Sequence, residues 1–272
     1  EEGNEYAAHS VLASGRWAKI RVPETGVYRL TESVIRQAGF TNINKVKIYG
    51  YGGNLQNESL YASEIYANDD LKEVPQCVVN GNHLFFGKGP VSWSSRTSSR
   101  RTRNPYSDYG YYFITQTDDA PLTVDSTEFV SSFYPSNDFY HSIHEVDGYA
   151  WYHGGRNLYD KTPIALGDSM RVVFSNTTGD ANGNLTVNVS AGVRNTGVEV
   201  YLNGRKLGTQ YISFSTDYNS GGESSSTYSI QSNLKNDTIV IKTIAGGPVR
   251  LDYVSMAWKS PKPAPRLSGN LP

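Results

Sequence analysis

The sequence predicts a mainly β protein of two β-sandwich-like domains, the first carrying one short helix. Three observations predict this. The 272 residues include 20 Tyr and 26 Gly but only 2 Met, and Asn, Ser and Thr are abundant. That mix favours strands and turns over helices. Apolar and polar residues alternate in short runs, which is the period of a half-buried strand. Finally, Asn80–Gly81 or Gly81–Asn82 in one place and Asn203–Gly204 in another lie between two such runs, a strong short-range signal for a hairpin.

In the first half, "RWAKIRV" alternates Ile20 and Val22 with Lys19 and Arg21, "PETG" turns, and "VYRL" returns. Arg16–Leu30 therefore reads as a hairpin. "TESVIRQAGF" is the one short helix, near 31–38. Thr31 caps it, Val34, Ile35 and Ala38 form its apolar stripe, and Gly39 ends it. "KVKIYGYGG" is a strand ending in a glycine turn, "EVPQCVVNGNHLFF" a hairpin and "YGYYFIT" an aromatic strand. Between the last two lies "SSRTSSRRTRNPYSD", a polar, basic segment that reads as a solvated loop.

From Asp118 to Asn137 the pattern weakens to Pro, Ser, Thr and Asp, the expected domain junction. Beyond Asp168 the pattern is β throughout. "LTVNVSAGV" places Leu185, Val187, Val189, Ala191 and Val193 on one face, and "VEVYLNGRKL" turns at Asn203–Gly204. "TYSI", "TIVIKTI" and "PVRLDYVSMAW" follow at sandwich spacings. The expected organisation is a first β domain over 1–130 and a second, jelly-roll or galactose-binding-like, over 131–260. A Pro-rich linker over 261–272 would lead toward a further domain.

The formal charge of −1 gives no global pull toward nucleic acid or anionic membrane, and no apolar run is long enough for a transmembrane helix. The single cysteine, Cys77, excludes an internal disulfide framework and a multi-cysteine metal site. A His–Cys dyad needs an exposed thiol within reach of an imidazole. Cys77 instead lies upstream of His153 in "VPQCVV", where a buried small hydrophobe is the ordinary role. His141, His144 and His153 fit no metal-binding helix pattern and read as turn or junction residues. "DANGN" at Asp180–Asn184 starts like a calcium loop but carries Leu185 and Ala191 where that loop needs Gly and Glu. No cofactor is expected, with a structural calcium there as the one weak possibility. The candidate binding residues are the basic patch Arg96, Arg100, Arg101 and Arg103, for an acidic group, and Trp151 and Tyr152, for stacking on a sugar.

The phrases "SGRWAKIRVPETGVYRLTESVIRQAGF", "KVKIYGYGG", "GKGPVSW", "NPYSDYGYYFIT" and "HEVDGYAWYHGGRNLYD" occur in this order. Together they resemble the N-terminal, non-catalytic region of type IX secretion sortases, gingipain-type cysteine peptidases of Bacteroidota. The resemblance implies that the catalytic histidine and cysteine lie beyond Pro272 and that His153 stands near a structural loop. It also implies an exported protein, periplasm-facing or at the cell surface and associated with the outer membrane. The whole protein would process C-terminal secretion signals and support surface attachment of cargo. Its implied partners are a downstream peptidase domain of the same chain and outer-membrane secretion-machinery proteins. The rival expectation is a carbohydrate-binding or adhesin-like cell-surface module, since jelly rolls serve both sugar binding and scaffolding. Asp168-Ser169-Met170 and Asp237-Thr238-Ile239 also match a short O-glycosylation signal of Bacteroidota.

Overall fold

In the computed structural model the described residues are 6–133, 140–153, 156–176, 181–192, 194–213 and 221–260. The chain divides into two compact units. The first comprises Glu1–Ser92 and Thr102–Ser136, the second Trp93–Arg101 and Asn137–Pro272. The segment expected to be a solvated loop of the first domain is therefore split, its first half, to Arg101, lying in the second unit.

The first unit contains β1 (Trp17–Val22), β2 (Gly26–Leu30), α1 (Glu32–Gln37), β3 (Val46–Gly52), α2 (Ala62–Ala67), β4 (Cys77–Val79) and β5 (Asn82–Gly87). β8 (Gly110–Gln116) and α3 (Ser126–Phe133) complete the unit, while β6 (Val91–Trp93) and β7 (Arg101–Arg103) pair as a two-stranded ribbon of which Trp93 and Arg101 count with the second unit. β1 and β2 do not form the expected hairpin. The turn is present, but β1 pairs with β8 and β2 with β5, so the strands enter different sheets. Those sheets, ordered β1-β8-β3 and β2-β5-β4, enclose one core. Val22, Ile48, Tyr112 and Ile114 come from one sheet, Leu30 and Phe85 from the other, and Ile35 from α1. A local hairpin would have given up this two-sided burial.

α1 starts as expected, with Thr31 Oγ1 accepting from the Val34 N–H at 3.2 Å. Two further helices were not expected. At α2, Glu64 Oε2 accepts from the Tyr61 N–H at 3.3 Å. At α3, inside the supposed junction, Asp125 Oδ1 accepts from the Glu128 N–H at 2.8 Å, and Phe129 is buried. "DSTE" carries this capping signal, but a helix this short shows too few turns for its period to be read.

The second unit is a sandwich of antiparallel strands. Its elements are β9 (His141–Glu145), β10 (Ser169–Ser175), β11 (Ala181–Ala191), β12 (Thr196–Leu202), β13 (Arg205–Ile212), β14 (Gly222–Ser232), β15 (Asn236–Ala245) and β16 (Arg250–Trp258). One sheet is ordered β10-β15-β12-β13 and the other β14-β11-β16-β9. Their facing sides share a core that includes Leu185, Val187, Val189, Val200, Ile239, Ile241, Val254, Met256 and Trp258. Four of the five alternating residues read from β11 are buried there; the fifth, Val193, lies outside the described residues. The Asn203–Gly204 turn forms as expected, and of the two alternatives in the other hairpin Asn80–Gly81 is the turn, Val79 pairing with Asn82. Asn80 and Asn203 have φ 49°, while Gly81 and Gly204 have φ 77° and 81°, the signs a two-residue I′ turn requires.

Candidate functional site

The alternation along β11 that sends Val187 and Val189 inward sends Thr186, Asn188 and Ser190 to the outer face of the β14-β11-β16-β9 sheet. An outer face is normally wet, yet Thr186, Ser190 and Ser255 are all buried. Over Thr186 and Ser255 the cover is the 93–101 segment, which crosses this face as a strap, and over Ser190 it is Trp151. Trp93 stacks on the His141 imidazole with centroids 4.0 Å apart, and His141 Nε2 donates to the Ser98 carbonyl at 2.9 Å. Asn184 Nδ2 donates to the Thr97 carbonyl at 2.9 Å, and the Ser99 and Thr186 hydroxyls meet at 2.7 Å. Ser255 Oγ donates to the Ser99 carbonyl.

The strap ends in a buried cluster of charged side chains. β11 and β16 lose register between Asn188 and Val189, where the partners are Tyr253 and Leu251. Asp252 is the extra residue of this bulge, which turns its carboxylate outward beneath the strap. Arg101 binds Glu145 through Nε (3.1 Å) and an Nη (2.6 Å), and that Nη also reaches Asp252 Oδ1 at 2.8 Å. Its guanidinium lies 4.2 Å from the Tyr253 ring centroid, and Asn188 Nδ2 supplies Asp252 Oδ2 at 2.9 Å. Arg101 thus neutralises carboxylates taken out of water.

Burial pushes the Asp252 carboxyl up to about 7; Arg101 opposes the rise, and Glu145, Glu223 and Asp147 add to it. Its folded pKa lies above the unfolded value of about 4. The stabilising contribution is therefore fully present below about 4 and is lost as pH rises toward about 7. Urea titrations should show stability declining across that window, and Asp252→Asn should flatten the decline. An unchanged slope in the variant would assign the pH dependence to other groups.

The sequence-derived candidates do not form one site. Arg96 lies 5.6 Å from the Tyr140 ring and Arg100 Nε donates to Thr227 Oγ1 at 3.3 Å, both exposed on the strap. Arg101 is held in the buried ion pairs, whereas Arg103 belongs to the first unit and pairs with Asp108 at 2.8 Å. The supposed single basic patch is thus divided, because these side chains leave successive stretches of one chain toward different partners. Trp151 is only 6% exposed, and its Nε1 donates to Ser190 Oγ at 2.9 Å. Tyr152 is 40% exposed and its hydroxyl donates to the Gly192 carbonyl at 3.1 Å.

His141 and His144 are not turn residues; both lie in β9, three positions apart and so on opposite faces. The side chain of His153 and the residue Asp180 lie outside the described residues, while Ala181–Asn184 run in β11. Cys77 is 1% exposed, and burial, reinforced by Asp125, raises its thiol pKa. A disulfide reagent should label Cys77 only at the rate of unfolding; fast labelling of the native protein would contradict its place in the core.

The strap is what sequence reasoning missed. Its signal was present: the outward positions of β11 and β16 carry Thr186, Ser190 and Ser255, small hydroxyls suited to a covered face, where lysines or glutamates would suit water. Asp252, the one acid within "VRLDYVSMAW", was the second sign of a partner delivered from elsewhere.

No protein-family model matches the chain, and no curated protein matches it. Among solved structures it is similar to dimeric latent PorU from Porphyromonas gingivalis, at 28% identity and a TM-score of 0.74. The match covers 93% of this chain and 25% of that one, so the chain spans a quarter of the length of its relative. The resemblance drawn from the sequence phrases is borne out: nearly the whole chain is a PorU-like region. A family 35 carbohydrate binding module from an environmental isolate matches at 16% identity and a TM-score of 0.33, over 47% of this chain and 93% of the module. A family 35 module from Clostridium thermocellum matches at 15% and 0.30, over 43% and 88%. Scores this low establish no common fold.

Proposed function

We propose that this PorU-like region is a non-catalytic structural and interaction module of an exported, gingipain-type cysteine peptidase. The observation that carries the reading is the similarity to PorU across 93% of the chain but only 25% of the relative. The greater part of such a protein, its peptidase domain included, would lie elsewhere. The placement of Cys77 supports this division of labour, since a buried thiol with a raised pKa is a poor nucleophile. In the parent protein the two units would brace the peptidase domain and present loops to outer-membrane secretion-machinery proteins. That protein would process C-terminal secretion signals and support the surface attachment of cargo. Among the described residues no helix is long and apolar enough to cross a membrane. The proposed setting is periplasm-facing or at the cell surface, in association with the outer membrane.

The test is hydrolysis of a peptide library by the purified chain, alongside Cys77→Ala. No thiol-dependent cleavage is expected from either. Cleavage by the wild type that disappears in the variant would sink the proposal. A glycan screen at about millimolar ligand separates the rival sugar-binding reading. It is expected to be negative, because the Trp151 ring is already packed and its N–H already bonded.

A further inference from the structure

The outer face of the β1-β8-β3 sheet is unlike the strapped face of the second unit. Ala18, Ile20 and Val22 of β1 face the core side, so Trp17, Lys19 and Arg21 face away from it. Alternation places Tyr111 and Phe113 of β8, and Lys47 and Tyr49 of β3, on that same outer side. The cations are seated on rings: Lys19 Nζ lies 3.8 Å from the Tyr111 centroid and Arg21 Cζ 4.4 Å from that of Tyr109. Trp17 packs edge-on to Tyr49 at 5.3 Å. Among the described residues, Lys19, Arg21 and Lys47 have no carboxylate partner. The neighbouring acids are engaged elsewhere: Glu73 accepts from the Leu122 N–H and Asp108 pairs with Arg103.

β1 is also an outer strand, pairing only with β8 among the described residues. Its core-side residues Ala18 and Ile20 are half-buried where β11 and β16 of the second unit are sealed. One edge therefore offers two different rows, cations held over aromatic rings on one side and, on the other, apolar side chains that pack on the core and are only partly buried. Lys19 and Arg21 stand two residues apart, about 6.7 Å, the same-face repeat of any extended chain.

We infer that the free edge of β1 takes up an extended peptide in which acidic and apolar residues alternate, as an added strand. Its acidic side chains would stand beside Lys19 and Arg21 and its apolar ones beside Ala18 and Ile20, with main-chain hydrogen bonds supplying the docking. This mode requires both the charge and the alternation, which separates it from a diffuse polyanion surface. It involves the first unit alone and does not depend on the function proposed above.

The probe is a fluorescently labelled peptide of about six residues alternating Glu and Val, the length of β1. The controls are a block peptide with the same residues unalternated, and alginate as an anionic polysaccharide. Binding is measured by anisotropy to the whole chain, and β1 amides are followed by hydrogen exchange. Expected are binding by the alternating peptide, slowed exchange in β1, and a loss of about tenfold or more in the double variant Lys19→Glu, Arg21→Glu. Both substitutions are at exposed positions, and thermal unfolding checks that the variant folds. Exchange slowing in the wild-type protein keeps the test decisive even if the variant is unstable. The proposal is overturned by no binding at about 1 mM. It is also overturned by equal binding of the block peptide or alginate, or by binding that leaves β1 exchange unchanged.

Discussion

Replacing Arg101 by methionine is expected to cost about 3–5 kcal/mol of folding stability, the range for removing one partner of a buried ion pair. The methionine restores the apolar stem but leaves Glu145 and Asp252 without their cation. Asp252 is 1% exposed, with Asn188 as its remaining donor. Lysine at this position should recover only part of the loss, because one ammonium cannot reproduce the paired bonds to Glu145 and the third bond to Asp252. The pH dependence gives an independent check. Loss of Arg101 removes the influence that holds Asp252 down, so its carboxyl rises further and the neutral form is favoured. The deficit should therefore narrow as pH falls toward about 4, where a neutral Asp252 needs no cation. Chemical denaturation at two pH values measures it. A deficit that is small, or equal at both, would mean that the strap's hydrogen bonds rather than its charge hold it to the sheet.

Trp151→Ala should be nearly as costly, about 3–5 kcal/mol for truncating a buried tryptophan. The ring is closely enclosed. Tyr149 meets the indole edge-on at 5.2 Å, and glycines 192 and 221 lie so near the ring that a Cβ at either would sit 2.6 Å from it. Gly192→Ala should thus be destabilising from the opposite direction, by overpacking, at about 1–3 kcal/mol. The indole N–H matters as well, since Ser190 Oγ accepts from it while donating to the Gly222 carbonyl at 2.7 Å. Thermal melts measure both variants. A Trp151→Ala protein with native stability and lost affinity for a sugar would restore Trp151 to a binding role.

Much of the fold was legible because its signals are local. The β11 alternation, the Asn-Gly turns and the Thr31 cap each need only a few neighbouring residues to be decided. The candidate site was less legible, since its chemistry depends on residues far apart in sequence. Trp151 looked like a stacking platform because aromatic residues are read as surface or core only through what covers them. Four arginines close in sequence looked like one patch, yet Arg103 turns to Asp108 in one unit and Arg101 to Asp252 in the other. No local pattern carries a partner 151 positions away.

By itself the sequence determined the β character of this protein, most of its strands, its main turns and its resemblance to a PorU-like region. Those properties follow from backbone propensity, from a two-residue period and from the order of short phrases along the chain. Only the tertiary structure decided where strands went and what covered them. It sent β1 and β2 to different sheets, so that Val22 and Leu30 enter one core from two sides. It laid 93–101 across the second unit, where Arg101 meets Glu145 and Asp252, carboxylates withdrawn from water, while Arg250 of the Asp252 strand is turned to the Asp160 and Lys161 carbonyls.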